Sequence, residues 1–127
     1  MKIPQIKILH CSDIHIFNSK KFEVHEYVFN EFYKQIEVEK PDIIVIAGDL
    51  VDSKGKLSPE QITLARSFLL NLTSYAPVIL TLGNHDTNLA NKDRLDSLTP
   101  IVQALNNEVE HPIHYLKHTG LYNLYGI

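Results

Sequence analysis

Three short apolar runs punctuate the chain, Ile6–Cys11, Ile43–Ala47 and Val78–Leu82, with polar and mixed stretches between them. The second run is almost continuously β-branched, which suits a strand buried on both faces of a parallel sheet. Between the first two runs, Phe22–Glu39 repeats Val28, Phe32 and Ile36 at helical spacing with charges between them, and Pro41 ends that helix ahead of strand two. Between the second and third runs a cleaner helix is written. Ser58 is a good N-cap, Pro59 suits the first helical position, and Gln61 completes a capping box. Ile62, Ala65, Leu69 and Leu72 then form its apolar stripe. Strand, helix, strand, helix, strand predicts right-handed βαβ crossovers and an α/β fold on a parallel sheet.

Beyond the third run the pattern loosens. Residues 88–97 are polar and read as a loop, and a short helix is expected near Pro100–Leu105. Residues 113–117 and 121–127 read as two further strands joined around Gly120, so that 109–127 makes a hairpin or a sheet edge. The second of these strands runs to the last residue without a cap or tail, as expected for part of something longer. No internal repeat, low-complexity tract or interdomain linker is present. Tyr27, Phe29, Phe32 and Tyr33 read as helix packing rather than a base-stacking platform. His10 and Cys11, on strand one, read as core residues.

Composition narrows the class. At 127 residues, with 44% hydrophobic and 21% charged positions, the chain fits one compact domain and not a disordered one. The formal net charge of −3 supplies no global field to draw in nucleic acid, so any such binding relies on a local basic strip or a partner. Cys11 is the single cysteine, which excludes an internal disulfide and fits a reducing compartment. No apolar run approaches membrane-spanning length and no signal-peptide core is seen. The expectation is a soluble, intracellular protein without a membrane partner.

Each apolar strand runs into a polar cluster. These are Ser12-Asp13-Ile14-His15, Gly48-Asp49-Leu50-Val51-Asp52 and Gly83-Asn84-His85-Asp86. Asp13, Asp49 and His85 are evenly spaced along the chain, one βα unit per step. Ligands of open α/β sheets gather at the carboxyl ends of strands. Adjacent strand ends lie about 4.8 Å apart and paired catalytic metals roughly 3.5–4 Å apart, so a carboxylate on a middle strand can touch two ions. Asp13 and Asp49 offer hard anionic oxygens, His15 a nitrogen and Asn84 a neutral carbonyl oxygen. Such a thiolate-free set favours Mn, Fe, Zn or Co. Gly48 and Gly83 let the backbone turn tightly off a strand.

D-x-H, then G-D-x-x-D, then G-N-H-D, each after an apolar strand, resembles the opening signature of the calcineurin-like metallophosphoesterases. The resemblance implies the N-terminal half of a four-layer αββα sandwich and two divalent ions, Mn2+ first, with Mg2+ added to the alternatives above. It implies that Asp13 and His15 bind one metal, Asp49 bridges both and Asn84 binds the second. His85 would contact the scissile phosphate, stabilising charge or protonating the leaving oxygen, with Asp86 orienting its ring. Asp52 falls near the active-site mouth, where a substrate-binding role and a loop-capping role both remain open. Lys54 and Lys56, flanking Gly55, read as a solvated loop. The family's later histidine motifs are absent, and His111, His114 and His118 read as ordinary surface or strand residues. Residues 1–127 are thus expected to be a single domain's N-terminal part, inactive alone.

The connecting text is similar to one branch of that family. Ile8–His15, Pro41–Leu50 and the GNHD segment look like the opening of Mre11/SbcD-type DNA-repair nuclease subunits, and Arg94–Leu98 and His114–Leu116 resemble their connector and edge strands. The implied reaction is manganese-dependent phosphodiester hydrolysis on DNA, as exonuclease and endonuclease. The implied partners are DNA, a Rad50/SbcC-type ATPase and a second copy of the full-length chain. Two other functions fit the same residues: a small-molecule or nucleotide phosphodiesterase or phosphatase, and a non-catalytic truncated or split module. Two divalent ions carry four positive charges, against two negative ones on Asp13 and Asp49, and four side chains cannot fill two coordination spheres. Residues 1–127 should therefore bind Mn2+ weakly, with one ion at most; calorimetry that finds two tight sites contradicts this.

Overall fold

In the computed structural model, residues 3–16, 22–51, 58–81, 98–109, 111–118 and 120–124 are described. The order is β1 (Ile8–Cys11), α1 (Phe22–Glu39), β2 (Ile43–Ala47), α2 (Pro59–Thr73), β3 (Val78–Thr81), α3 (Thr99–Leu105) and β4 (Ile113–Leu116). The four strands form one sheet in the order β1-β2-β3-β4, and every neighbouring pair is parallel.

That monotonic order has a geometric consequence. Right-handed crossovers that always step the same way lay every connecting helix on the same side of the sheet. All three helices accordingly share one core with Ile44, Ile46, Val78, Leu80 and Ile113. The register puts Leu9, Cys11 and Tyr115 on that same face, partly buried against the core. The opposite face carries Ile8, His10, Val45, Ala47, Ile79 and Leu116, all half-buried or exposed, with Ile43, at the start of β2, the buried exception. The β-branched run of β2 is thus helix-covered on one face only, unlike the two-sided burial its composition predicts. His10, expected in the core, is exposed on the uncovered side.

The helices form as their caps dictate. Ser58 Oγ accepts from the Gln61 N–H at 3.1 Å, Gln61 Oε1 accepts from the Ser58 N–H at 2.9 Å, and Pro59 takes the first turn. Helix α1 ends ahead of Pro41 with Lys40 in the left-handed region at φ 48°, its N–H closing the last turn on the Ile36 carbonyl at 2.8 Å. The buried stripes are rotated from the expected ones. In α1 Phe29 and Ile36 are buried while Val28 is exposed, and in α2 Leu64, Ala65, Phe68, Leu69 and Leu72 are buried while Ile62 is exposed. Phe68 explains the rotation. Its ring lies 4.3 Å from Phe29, 6.1 Å from Phe32 and 6.2 Å from Tyr33, so the aromatic side chains of α1 turn inward to meet it. Tyr27, on the outside of α1, is 67% exposed.

Residues 113–116 are not half of a hairpin. They form the sheet edge as a fourth parallel strand beside β3, reached through α3; residues 120–124 are not in a strand, and 125–127 lie outside the described residues. No helix among the described residues is long and apolar enough to cross a membrane. Because Phe68 is 1% exposed and joins both helices to the sheet, Phe68→Ala should lose about 3–5 kcal/mol. Phe68→Leu should lose clearly less. Urea denaturation of both variants measures this.

Candidate metal centre

Parallel pairing does not stop where β1 and β2 end. The Asp13 N–H donates to the Gly48 carbonyl at 3.3 Å, the His15 N–H to Asp49 at 2.9 Å and the Ile16 N–H to Leu50 at 3.0 Å. An isolated parallel bridge joins Ile16 to Val51. Ile16, Leu50 and Val51 are fully buried and anchor the two loops in the core. Asp13 is exposed, while His15 and Asp49 are half-buried.

These turns are bought with backbone strain. Asp13 (φ 55°), His15 (φ 50°) and Asp49 (φ 55°) all occupy the left-handed region, next to Gly48 at φ 84°. Such conformations cost of order 1–3 kcal/mol each at non-glycine residues and persist where surrounding structure over-determines them. Burying an aliphatic side chain contributes about 1.5–3 kcal/mol, so the three buried anchors supply stabilisation of the same order as the strain.

The result is a cluster. One ligand atom each from Asp13, His15 and Asp49 lies within 4.8 Å of the others, and His15 Nε2 sits 3.4 Å from Asp13 Oδ1. Three donors spread evenly at about 2.2 Å from one ion lie at most about 3.8 Å from one another, so side-chain shifts of up to about 1 Å bring all three onto one cation. The Ser12 hydroxyl, donating to Asp13 Oδ2 at 3.1 Å, and then His15 hold the Asp13 carboxyl below its usual range. Asp13 is therefore anionic at neutral pH, the form able to bind a cation. Cys11, one position before Ser12, packs partly against the core, and burial pushes its thiol up to about 11, so it offers no thiolate.

Asn84, His85 and Asp86, and Asp52 with its neighbouring lysines, lie outside the described residues. Among the described residues, His111, His114 and His118 do not join the cluster. One long-range contact beside the cluster was not visible in the sequence: Gln61 Nε2 donates to the Ile16 carbonyl at 2.9 Å. The capping-box pattern marked this residue, but only for its role within the helix.

The sequence model of the calcineurin-like phosphoesterase family matches residues 6–126. The chain belongs to that family. The calcineurin-like phosphoesterases bind divalent metals, and the Asp13–His15–Asp49 cluster can serve that purpose here. The chain is 43% identical over 124 residues to an uncharacterised protein, R555, of Acanthamoeba polyphaga mimivirus, covering 94% of this chain and 9% of that one. It is 40% identical over 87 residues to the SbcD subunit of the nuclease SbcCD from Staphylococcus epidermidis, covering 64% and 23%. The SbcD subunit from Staphylococcus saprophyticus is 36% identical over 96 residues, covering 72% and 24%. The crystal structure of the Pseudomonas putida nuclease MPE superposes with a TM-score of 0.59 at 15% identity, over 91% of this chain and 50% of that one. That likeness establishes the shared fold. The chain thus spans under a quarter of the length of these curated relatives and half of the solved neighbour.

The left-handed backbone at Asp49 makes a specific expectation. Asp49→Gly and Asp49→Ala should both weaken metal binding. In metal-free urea denaturation the glycine variant should be the more stable by about 0.5–1 kcal/mol, because alanine resists that conformation. Equal stabilities would mean that residue 49 relaxes once its carboxylate is gone.

Proposed function

We propose that this chain carries the metal-ligand core of a phosphodiester hydrolase acting on DNA, the nuclease subunit of an SbcCD-like repair complex. One observation carries the proposal. The ligand atoms of Asp13, His15 and Asp49 converge within 4.8 Å, in a chain 36–40% identical to the SbcD subunits of two SbcCD nucleases.

Asp13 and His15 would hold one divalent ion. Asp49, leaving the strand that lies between β1 and β3, would be shared between two ions, and Asn84, after β3, would hold the second. Mn2+ is the proposed metal, since oxygen donors outnumber the single imidazole. When bound, the ions supply Lewis acidity toward phosphate oxygens and water at neutral pH. His85 would donate a proton from its ring to the leaving oxygen, or hold charge on the phosphate. Asp86 would keep that ring oriented, and Asp52 would stand on the substrate side of the loop after β2. DNA, a Rad50/SbcC-type ATPase and a second copy of the full-length chain are the proposed partners.

The 127 residues are proposed to be the N-terminal part of that catalytic domain, with further metal ligands supplied from outside them. Parallel sheets occur almost only with both faces covered, and among the described residues the helices lie against one face. The shares of the relatives that the chain spans agree with this.

The product of the natural gene, assayed with Mn2+, should cut duplex or single-stranded DNA as well as bis-nitrophenyl phosphate. Hydrolysis of the dye ester alone would point to a small-molecule phosphodiesterase, and hydrolysis of neither to a non-catalytic module. His85→Ala should slow turnover about 10²–10⁴-fold with Mn2+ affinity unchanged. Loss of metal in that variant would make His85 a ligand instead.

A further inference from the structure

We infer that Gln61 is a positioning residue for the Asp13–His15–Asp49 centre, acting through Ile16. The inference rests on those three residues being a metal centre. Gln61 is fully buried although polar, and both ends of its amide are engaged. Oε1 accepts the Ser58 N–H at 2.9 Å, which belongs to the helix cap. Nε2 donates to the Ile16 carbonyl at 2.9 Å, across 45 residues of sequence, which does not.

The cap alone does not call for glutamine. Glutamate serves equally well at that position of a capping box, because only an acceptor is needed. The amide N–H is what glutamate lacks, and it is the group that reaches Ile16. Ile16 in turn follows His15, and its own N–H donates to the Leu50 carbonyl, one residue after Asp49. A continuous run of hydrogen bonds therefore ties the N-terminus of α2 to the loop after β1, and that loop to the one after β2.

The tie falls where restraint is needed. Asp13 and His15 are held at positive φ, a conformation that relaxes unless neighbouring structure holds it. Helix α2 is packed into the core along its length and is a rigid support. Groups hydrogen-bonded directly to metal ligands are commonly worth 10–100-fold in metal affinity, and Gln61 acts one residue further out, through the Ile16 backbone, so the lower end of that range applies.

The test compares three variants of the 127-residue chain. Gln61→Met keeps the side-chain volume and removes both bonds. Gln61→Glu, measured at a pH where its carboxylate is ionised, keeps the acceptor for Ser58 and sets an oxygen that cannot donate against the Ile16 carbonyl. Ser58→Ala damages the cap and leaves the Ile16 bond. Free Mn2+ is followed by electron paramagnetic resonance, and amide exchange at His15 and Ile16 by NMR without metal. Gln61→Met should weaken Mn2+ binding about tenfold or more. Both Gln61 variants should speed exchange at His15 and Ile16 at least tenfold. Ser58→Ala should lower the melting temperature yet leave Mn2+ affinity within about twofold. Wild-type Mn2+ affinity in Gln61→Met overturns the inference, as does an equal loss in Ser58→Ala. Should the wild-type chain bind no Mn2+, the metal-centre reading fails by itself. The exchange rates of Gln61→Met then decide the tie, and rates no faster than those of Ser58→Ala overturn it.

Discussion

Side-by-side parallel pairing of β1 and β2 is what brings Asp13, His15 and Asp49, the candidate ligands, together. Two strands that run the same way end at the same edge of the sheet, so whatever follows them meets. Here the pairing continues past both strands, from Asp13 against Gly48 to Ile16 against Leu50, and the ligands are delivered by the backbone itself. An antiparallel pair would put the two segments at opposite edges and leave no cluster. The chemistry is thus a product of topology before it is a product of side chains.

The ligand loops are shaped by opposed forces of similar size. Left-handed backbone at Asp13, His15 and Asp49 works against the loops, while full burial of Ile16, Leu50 and Val51 and the Gln61 bond to Ile16 hold them. Along the loop after β1, Asp13 and His15 alternate with Ile14 and the buried Ile16, so burying one set turns the other outward; after β2, Asp49 is followed by the buried Leu50 and Val51. Anchoring of this kind lets half-exposed polar side chains stand on buried backbone. It also explains why the adjoining Cys11 packs partly against the core, with its thiol raised to about 11, and takes no part in ligation.

Much of this was legible in the sequence where local rules govern. The bounds of α1, β2 and the capped start of α2 follow from Pro41, the β-branched run at 43–47, and Ser58 with Pro59 and Gln61. The Asp13, His15 and Asp49 cluster follows from polar residues placed just after apolar strands. Non-local choices were less legible. Val28, Phe32 and Ile36 make a stripe as regular as Phe29, Phe32 and Ile36, and the preference between them depends on Phe68 of another helix. Strand β4 has the same period-two pattern whether it pairs with its sequence neighbour or with β3, so the hairpin expectation rested on proximity along the chain. His10 could not be assigned to the uncovered face without knowing that the strand order never reverses. Gln61 carried a correct local signal that concealed a long-range one.

A divalent cation held between the ends of β1 and β2 should betray its position. Substoichiometric Mn2+ added to the isotope-labelled chain reports it, because the ion broadens NMR signals of nearby nuclei. Broadening should start at residues 12–16 and 48–51, leave the outer side of α1 around Tyr27 sharp, and be clearly weaker in Asp49→Ala at the same Mn2+ concentration. Broadening that starts instead around His111 and His118, or that persists unchanged in Asp49→Ala, would rule out a centre built on Asp13, His15 and Asp49.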